Sequence, residues 1–249
     1  MERKSPQSFI AYVPVGKLSR ESCESIDTNV WLRTGKVIGK GMYGSVEELC
    51  RTESDNCAFV LKIIQETEKA DPLDLKRELK MAEITNAIVD ERYEVSVDHG
   101  SGNRVLYRNK RTRQVFERQP AEQISPYIFD AWQCVHEKNS GLRTGYLIMQ
   151  RYDSTLEQKI IMWKKRYPDG VPPGVYRTFV TRCVEITRHL NTKMRIIHGD
   201  VHEAQFLVDK NTGHVVLTDF GRAGSFFIPG LPMPYANHPR YGKLTLKQK

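Results

Sequence analysis

The chain has 249 residues, with 38 Lys and Arg against 30 Asp and Glu, for a net charge of +8. That length suffices for one large domain or two parts sharing a cleft, so a miniature or disordered protein is excluded. The basic excess favours acidic partners such as nucleotides, nucleic acid or acidic protein segments, although it also serves plain solubility.

Residues 1–30 read as an N-terminal extension. Their apolar stretch from 9 to 15 is broken by Pro14 and is too short for a signal sequence. Nothing along the chain approaches the length of a membrane span, so a soluble intracellular protein of the cytoplasm or nucleus is expected, with no membrane partner. Cys23, Cys50, Cys57, Cys134 and Cys183 are odd in number, lack a C-x-x-C pair and are scattered, which favours reduced thiols.

From 31 to 64 the pattern is an antiparallel meander: Val37-Ile38, a glycine-rich turn, a strand over 45–49, a polar turn through 53–56, and a strand over 58–64. Lys62 lies inside that last apolar strand, where a charge is costly unless paired. A helix is expected to start at Asp71-Pro72, where Asp caps and Pro fits the first turn, with Leu75, Leu79 and Ala82 on one face. Glu78 edges that face and is the natural partner of Lys62, with Glu83 as fallback; otherwise Lys62 is an edge-strand lysine pointing to solvent.

Residues from about 92 to 118 alternate like a small hairpin excursion. Its turn concentrates Arg108, Lys110, Arg111 and Arg113, which form either a solvated charge cluster or a grip on nucleic-acid phosphates. Strands follow at 127–132 and 146–149, then a helix over 156–167. After a loop through Pro168-Asp169-Gly170 and Pro172-Pro173-Gly174, a second helix carries Phe179, Cys183, Ile186 and Leu190 at spacings of three and four.

Three segments could carry chemistry. Ile38-Gly39-Lys40-Gly41-Met42-Tyr43-Gly44-Ser45-Val46 is a G-x-G-x-x-G run between two strands, where glycines let backbone amides approach phosphates; a plain tight hairpin is the competing reading. His198-Gly199-Asp200-Val201-His202-Glu203-Ala204-Gln205 precedes Asp219-Phe220-Gly221, and the Asp pair suits phosphoryl transfer, which needs a carboxylate at the attacking hydroxyl and another on a metal. His198 and His202 share metal-ligand spacing, but Gly199 between them argues against a zinc helix.

The order of glycine-rich loop, Lys62, Glu78, Asp200 and Asp219-Phe220-Gly221 resembles the eukaryotic-like protein kinase family from Gly39 to Gly221. Tyr146-Leu147-Ile148-Met149-Gln150-Arg151-Tyr152 and His198-Gly199-Asp200 resemble most closely its vaccinia-related and casein-kinase-like branch. The resemblance implies an α+β, two-lobed fold: an antiparallel-sheet N-lobe over 31–150, carrying the hairpin insertion, and a reduced, mainly helical C-lobe over 151–249. It implies ATP with Mg²⁺ or Mn²⁺ as cofactors and a protein substrate phosphorylated on Ser or Thr. Met149 becomes the gatekeeper, the backbone from Gln150 to Tyr152 meets adenine, and Val46, Val60 and Leu207 sandwich the ring. Ile38, Gly39, Lys40, Gly41 and Gly44 bind the nucleotide, the amides of Lys40 to Ser45 cover the phosphates, Lys62 with Glu78 holds them, Asp200 accepts or orients the hydroxyl, and Asp219 binds metal.

The chain departs from the family at several places. Gln205 stands where an Asn usually binds the second Mg²⁺, His202 where a Lys commonly steadies the transferring phosphate, and Gly199 where an Arg often pairs with a phosphorylated loop. Asn237-His238-Pro239-Arg240-Tyr241 only faintly resembles the turn before the Ala-Pro-Glu motif, and neither that motif nor later helices follow. Leu190, Phe206, Leu207 and Val216 would then need cover from the tail 226–246, from a partner, or from a second copy in a homodimer. Such a compact form would suit a virus-encoded kinase. The alternative function is a pseudokinase that binds nucleotide, or nothing, and acts as a scaffold or decoy.

Overall fold

The structure is a computed structural model that describes residues 10–11, 26, 30–41, 44–52, 57–65, 74–85, 93–98, 104–109, 111–117, 123–135, 143–210, 213–229 and 231–233. The meander forms β2 (Trp31–Gly41), β3 (Gly44–Arg51) and β4 (Phe59–Gln65), and β8 (Ile128–Val135) and β9 (Arg143–Gln150) complete a five-stranded antiparallel sheet in the order β2-β3-β4-β9-β8. Period-two alternation sorts its side chains. Phe59 and Leu61 join Trp31, Leu49, Phe129, Trp132 and Ile148 on one face, whereas Val60, Leu147 and Met149 point to the other.

The second face is covered by α1 (Asp74–Ile84), whose Leu75, Leu79 and Ala82 are buried there as their spacing predicts. Asp71 and Pro72, expected to open this helix, lie outside the described residues. Alternation also carries Lys62 to the α1 side, two positions beyond Val60.

A second core forms around α2 (Leu156–Arg166), α3 (Pro173–Arg188) and a three-stranded antiparallel sheet of β10 (Ser154–Thr155), β11 (Phe206–Val208) and β12 (Val215–Leu217). Thr155 and Gln158 close a reciprocal capping box at the start of α2. Helix α3 runs on into a π-helical turn, His189–Met194, that ends at Arg195 in the left-handed conformation. Ile186 and Leu190 are buried, with Phe179 and Cys183 packed beside them. Met81 of α1 belongs to this core too, so α1 is wedged between the two.

Leu190, Phe206 and Val216 are buried, and for Leu190 and Phe206 the chain itself supplies cover: Leu231 is fully buried in their cluster, Ile228 packs against it, and the Leu231 carbonyl accepts the Ser225 amide at 2.8 Å. Leu207 instead lines a cavity. The remaining tail residues, 234–249, lie outside the described residues, as does Lys110.

The expected hairpin is present as β5 (Tyr93–Asp98), β6 (Arg104–Asn109) and β7 (Val115–Glu117), with β1 (Ile10–Ala11) paired to β5 in a separate four-stranded sheet. Arg111 and Arg113 are exposed at its β6–β7 turn.

One expectation is corrected. Cys50 and Cys57 form a disulfide rather than remaining reduced. The pairing of Leu49 with Phe59 across β3 and β4 brings the two cysteines together at the mouth of that hairpin. Cys183 is a free thiol, and burial pushes its pKa up to about 11. Among the described residues no helix is long and apolar enough to cross a membrane.

Candidate functional site

The open side of the five-stranded sheet, the β2–β3 hairpin, α1 and the β11–β12 segment enclose a cavity of about 510 Å³. Lys62 lines it. Its Nζ donates to Glu78 Oε1 at 2.5 Å and to Asp219 Oδ1 at 2.9 Å, joining a strand, a helix and a distant loop. The Glu83 side chain lies outside the described residues.

Burial shapes this trio. It opposes the Lys62 charge, but the two carboxylates outweigh it and hold the ammonium above its ordinary pKa. Glu78 is 4% exposed, and burial together with the neighbouring Asp219 charge pushes its pKa up despite Lys62. Asp219 is 44% exposed, and the Lys62 charge holds its carboxyl well below the usual range. The more exposed of the two carboxylates is thus the one most firmly kept as an anion.

Asp219 itself adopts the left-handed conformation, φ 64°, an uncommon region for a residue other than glycine, and leads into the short turn Phe220–Arg222. Phe220 is buried beneath it, and Arg77 of α1 donates to the Gly221 carbonyl at 3.4 Å. The helix that carries Glu78 therefore also grips the Asp219 turn.

Among the described residues expected to contact nucleotide, all but Arg151 line this cavity. Ile38, Gly39, Lys40, Gly41 and Gly44 form its hairpin side, with Met42 and Tyr43 outside the described residues. Val46, Val60 and Leu207 supply apolar walls, and Met149, Gln150 and Tyr152 form the far end. The Gln150 and Arg151 amides already donate to the Tyr127 and Ala58 carbonyls, both at 2.9 Å, so an adenine edge would be met by other backbone groups there. His202 and Gln205 line the cavity beside Asp219.

Asp200 does not line it. Its amide donates to His198 Nδ1 at 3.3 Å, while His198 Nε2 meets the Thr218 carbonyl at 2.9 Å. The buried His198 ring thereby ties the Asp200 loop to the residue preceding Asp219. Its carboxylate, 35% exposed, lies 3.6 Å from Arg222. Sequence reasoning weighed His198 only as a metal ligand and missed Arg222; the available signals were a His two residues before Asp200 and a cation directly after the Asp219 triplet.

Gly199 also gains a physical role. At φ +83° a Cβ would lie 2.5 Å from the Arg222 carbonyl oxygen, so the backbone itself demands the glycine by which the chain departs from the resembled pattern. The adjoining segments are clamped by reciprocal 2.9 Å bonds between Ile197 and Gly224.

Among the described residues no cluster of three or more His, Cys, Asp or Glu is placed to hold a metal. The hard donors that converge are Asp219 and Gln205: Asp219 Oδ2 and the Gln205 side-chain amide are 3.0 Å apart. As placed, Gln205 Nε2 donates to Asp219 Oδ2, so Asp219 supplies the oxygen and Gln205 would add a second only by presenting its carbonyl end; such a pair would suit Mg²⁺, which keeps waters and takes substrate phosphates for its other positions. A scan against protein-family models matches none, and a search of curated proteins finds no match.

Proposed function

We propose that the protein is an ATP-dependent phosphotransferase with a two-lobed, protein-kinase-like arrangement, transferring the γ-phosphoryl group to a Ser or Thr hydroxyl of a protein. The observation that carries this reading is the Lys62–Glu78–Asp219 ion-pair trio facing a cavity roofed by the glycine hairpin. Val46, Val60 and Leu207 would clasp the adenine ring, with Met149 behind it. Glu78 holds Lys62 so that its ammonium can meet the inner phosphates, and the Gly39–Gly44 hairpin brings backbone amides to them.

Asp219 and Gln205 would hold Mg²⁺ or Mn²⁺, which neutralises charge developing on the phosphates. Asp200, outside the cavity wall, would orient the incoming hydroxyl and take its proton. The new bond forms from that oxygen to the γ-phosphorus, the bond to the β–γ bridging oxygen breaks, and ADP leaves with that electron pair.

The test is incubation with labelled ATP, Mg²⁺ or Mn²⁺, and generic acidic and basic protein substrates. Wild type should transfer label; Lys62→Met and Asp219→Asn should lose it by at least about 100-fold, the scale of removing one preorganised electrostatic contact. Asp200→Ala should lose transfer yet keep its ATP-dependent rise in melting temperature. A wild-type signal no greater than that of Asp219→Asn overturns the enzyme reading. The Arg222 contact to Asp200 favours a second reading, a nucleotide-binding scaffold with its base withheld; thermal stabilisation by ATP without transfer would select it.

A further inference from the structure

His202 caps the short turn Glu203–Gln205: its Nδ1 accepts the Ala204 amide at 3.3 Å. An imidazole that accepts at Nδ1 carries its proton at Nε2. That Nε2 lies 3.2 Å from the terminal side-chain atom of Gln205 placed as Nε2, and so presents a donor to it. The same Gln205 atom lies 3.0 Å from Asp219 Oδ2, which accepts. One atomic position is therefore asked by His202 to be oxygen and by Asp219 to be nitrogen.

The two ends of an amide are distinguished only by their partners. If nitrogen faces Asp219, His202 must either give up its cap on Ala204 or set its Nε2–H against an N–H. If oxygen occupies the position, His202 is satisfied at both ring nitrogens, and two oxygens face each other across 3.0 Å. Such a pair repels unless a cation lies between them. Adjacent ligands of an octahedral Mg²⁺, bonded at 2.0–2.1 Å, are themselves about 2.9 Å apart. Asp219 Oδ1 is already engaged by Lys62, which leaves Oδ2 for this role.

We propose that His202 is a positioning residue: its Nε2–H turns the Gln205 carbonyl oxygen toward a divalent cation shared with Asp219. The proposal rests on the reading of the cavity as a metal–nucleotide site, and it explains how a Gln paired with a His can serve there. His202 touches neither metal nor phosphate in this role; it selects which end of Gln205 is presented.

The experiment measures Mn²⁺ affinity by the EPR signal of free Mn²⁺, with and without a non-hydrolysable ATP analogue. His202→Asn keeps an oxygen that can cap Ala204 but removes the donor to Gln205, and should weaken Mn²⁺ binding about ten-fold, as loss of a ligand-orienting contact does. His202→Gln, which can reach with a donor, should recover most of it. In a Gln205→Glu background both ends of the side chain are oxygen, so adding His202→Asn should cost nothing. Nitrogen-15 shifts of the His202 ring should show the proton fixed on Nε2 when Mg²⁺ is added.

Wild-type-like Mn²⁺ affinity in His202→Asn, or a loss that persists in the Gln205→Glu background, overturns the proposal, as does a wild type that binds no Mn²⁺. Transfer from labelled ATP is scored separately. A His202-dependent Mn²⁺ site without transfer leaves the proposal standing and removes the phosphotransferase reading.

Discussion

Gly44 and Gly41 belong to one glycine-rich run but answer to different demands. A Cβ on Gly44 would lie 1.9 Å from the Ile63 carbonyl oxygen in the neighbouring strand, whereas one on Gly41 would meet nothing within 4 Å. Gly44→Ala should therefore cost more than about 2 kcal/mol, lowering the melting temperature by roughly 4 °C or more. Gly41→Ala should melt like wild type yet bind an ATP analogue more weakly in titration calorimetry; unchanged affinity would reduce the run to a plain hairpin. Two buried histidines contribute to the pH response below neutrality. Burial lowers the His198 pKa, and burial with the Arg182 charge lowers that of His214 to about 4. Because the unfolded chain binds these protons more readily, their contribution is full above about pH 6.5 and is lost as pH falls toward the folded values. Urea midpoints should drop between pH 7.5 and pH 5, and His214→Gln should flatten that drop. Lys62 was legible as half of an ion pair because charge inside an apolar strand needs a partner. Its contact with Asp219 was not legible as geometry, since 157 residues separate the two and only the fold brings them together.

At the scale of elements, α1 links the two cores: Leu75, Leu79 and Ala82 pack on the sheet, Met81 enters the second core, and Glu78 lies between them on Lys62. Spacing alone revealed the apolar face of α1, and Glu78 at its edge marked the partner of Lys62. The start of α2 was equally readable in Thr155 and Gln158, but a capping box is a short signal easily passed over beside a long apolar pattern. Strand order was not readable, because β9 inserts between β4 and β8 through long-range pairing that no local pattern encodes. The Cys50–Cys57 bond depends on that same pairing, which composition cannot supply. The trio makes a graded prediction. Lys62→Met leaves two carboxylates facing each other with their cation gone, while Glu78→Gln leaves Lys62 paired with Asp219. The first should cost about 3 kcal/mol in urea unfolding at neutral pH, the scale of breaking a buried pair, and the second clearly less. Equal losses would mean that helix packing, rather than charge, dominates the site's stability.

Over the whole molecule, cavity and cores depend on one another. The cavity walls come from the sheet, from α1 and from the β11–β12 segment, and the last of these is held by the second core rather than by the sheet. Sequence reasoning identified the need to cover Leu190, Phe206 and Val216 but left the source open among tail, partner and second copy. For Leu190 and Phe206, Leu231 supplies cover from within the chain, its side chain fully buried and its carbonyl holding Ser225, while Ser225 Oγ in turn donates to the Arg195 carbonyl at 2.7 Å. That chain of contacts reaches from the post-Asp219 segment to the turn that ends α3, one residue before buried Ile196. Leu231→Ala should therefore destabilise the protein by about 2–5 kcal/mol through the cavity it leaves. Leu231→Asp should go further and expose the second core, giving dye binding to apolar surface at temperatures where wild type shows none. If the second core loosens, the β11–β12 wall loosens with it, so the ATP-dependent rise in melting temperature should shrink in Leu231→Asp although no residue of the cavity has changed. A full ATP response in that variant would show that the site is held by the sheet and α1 alone.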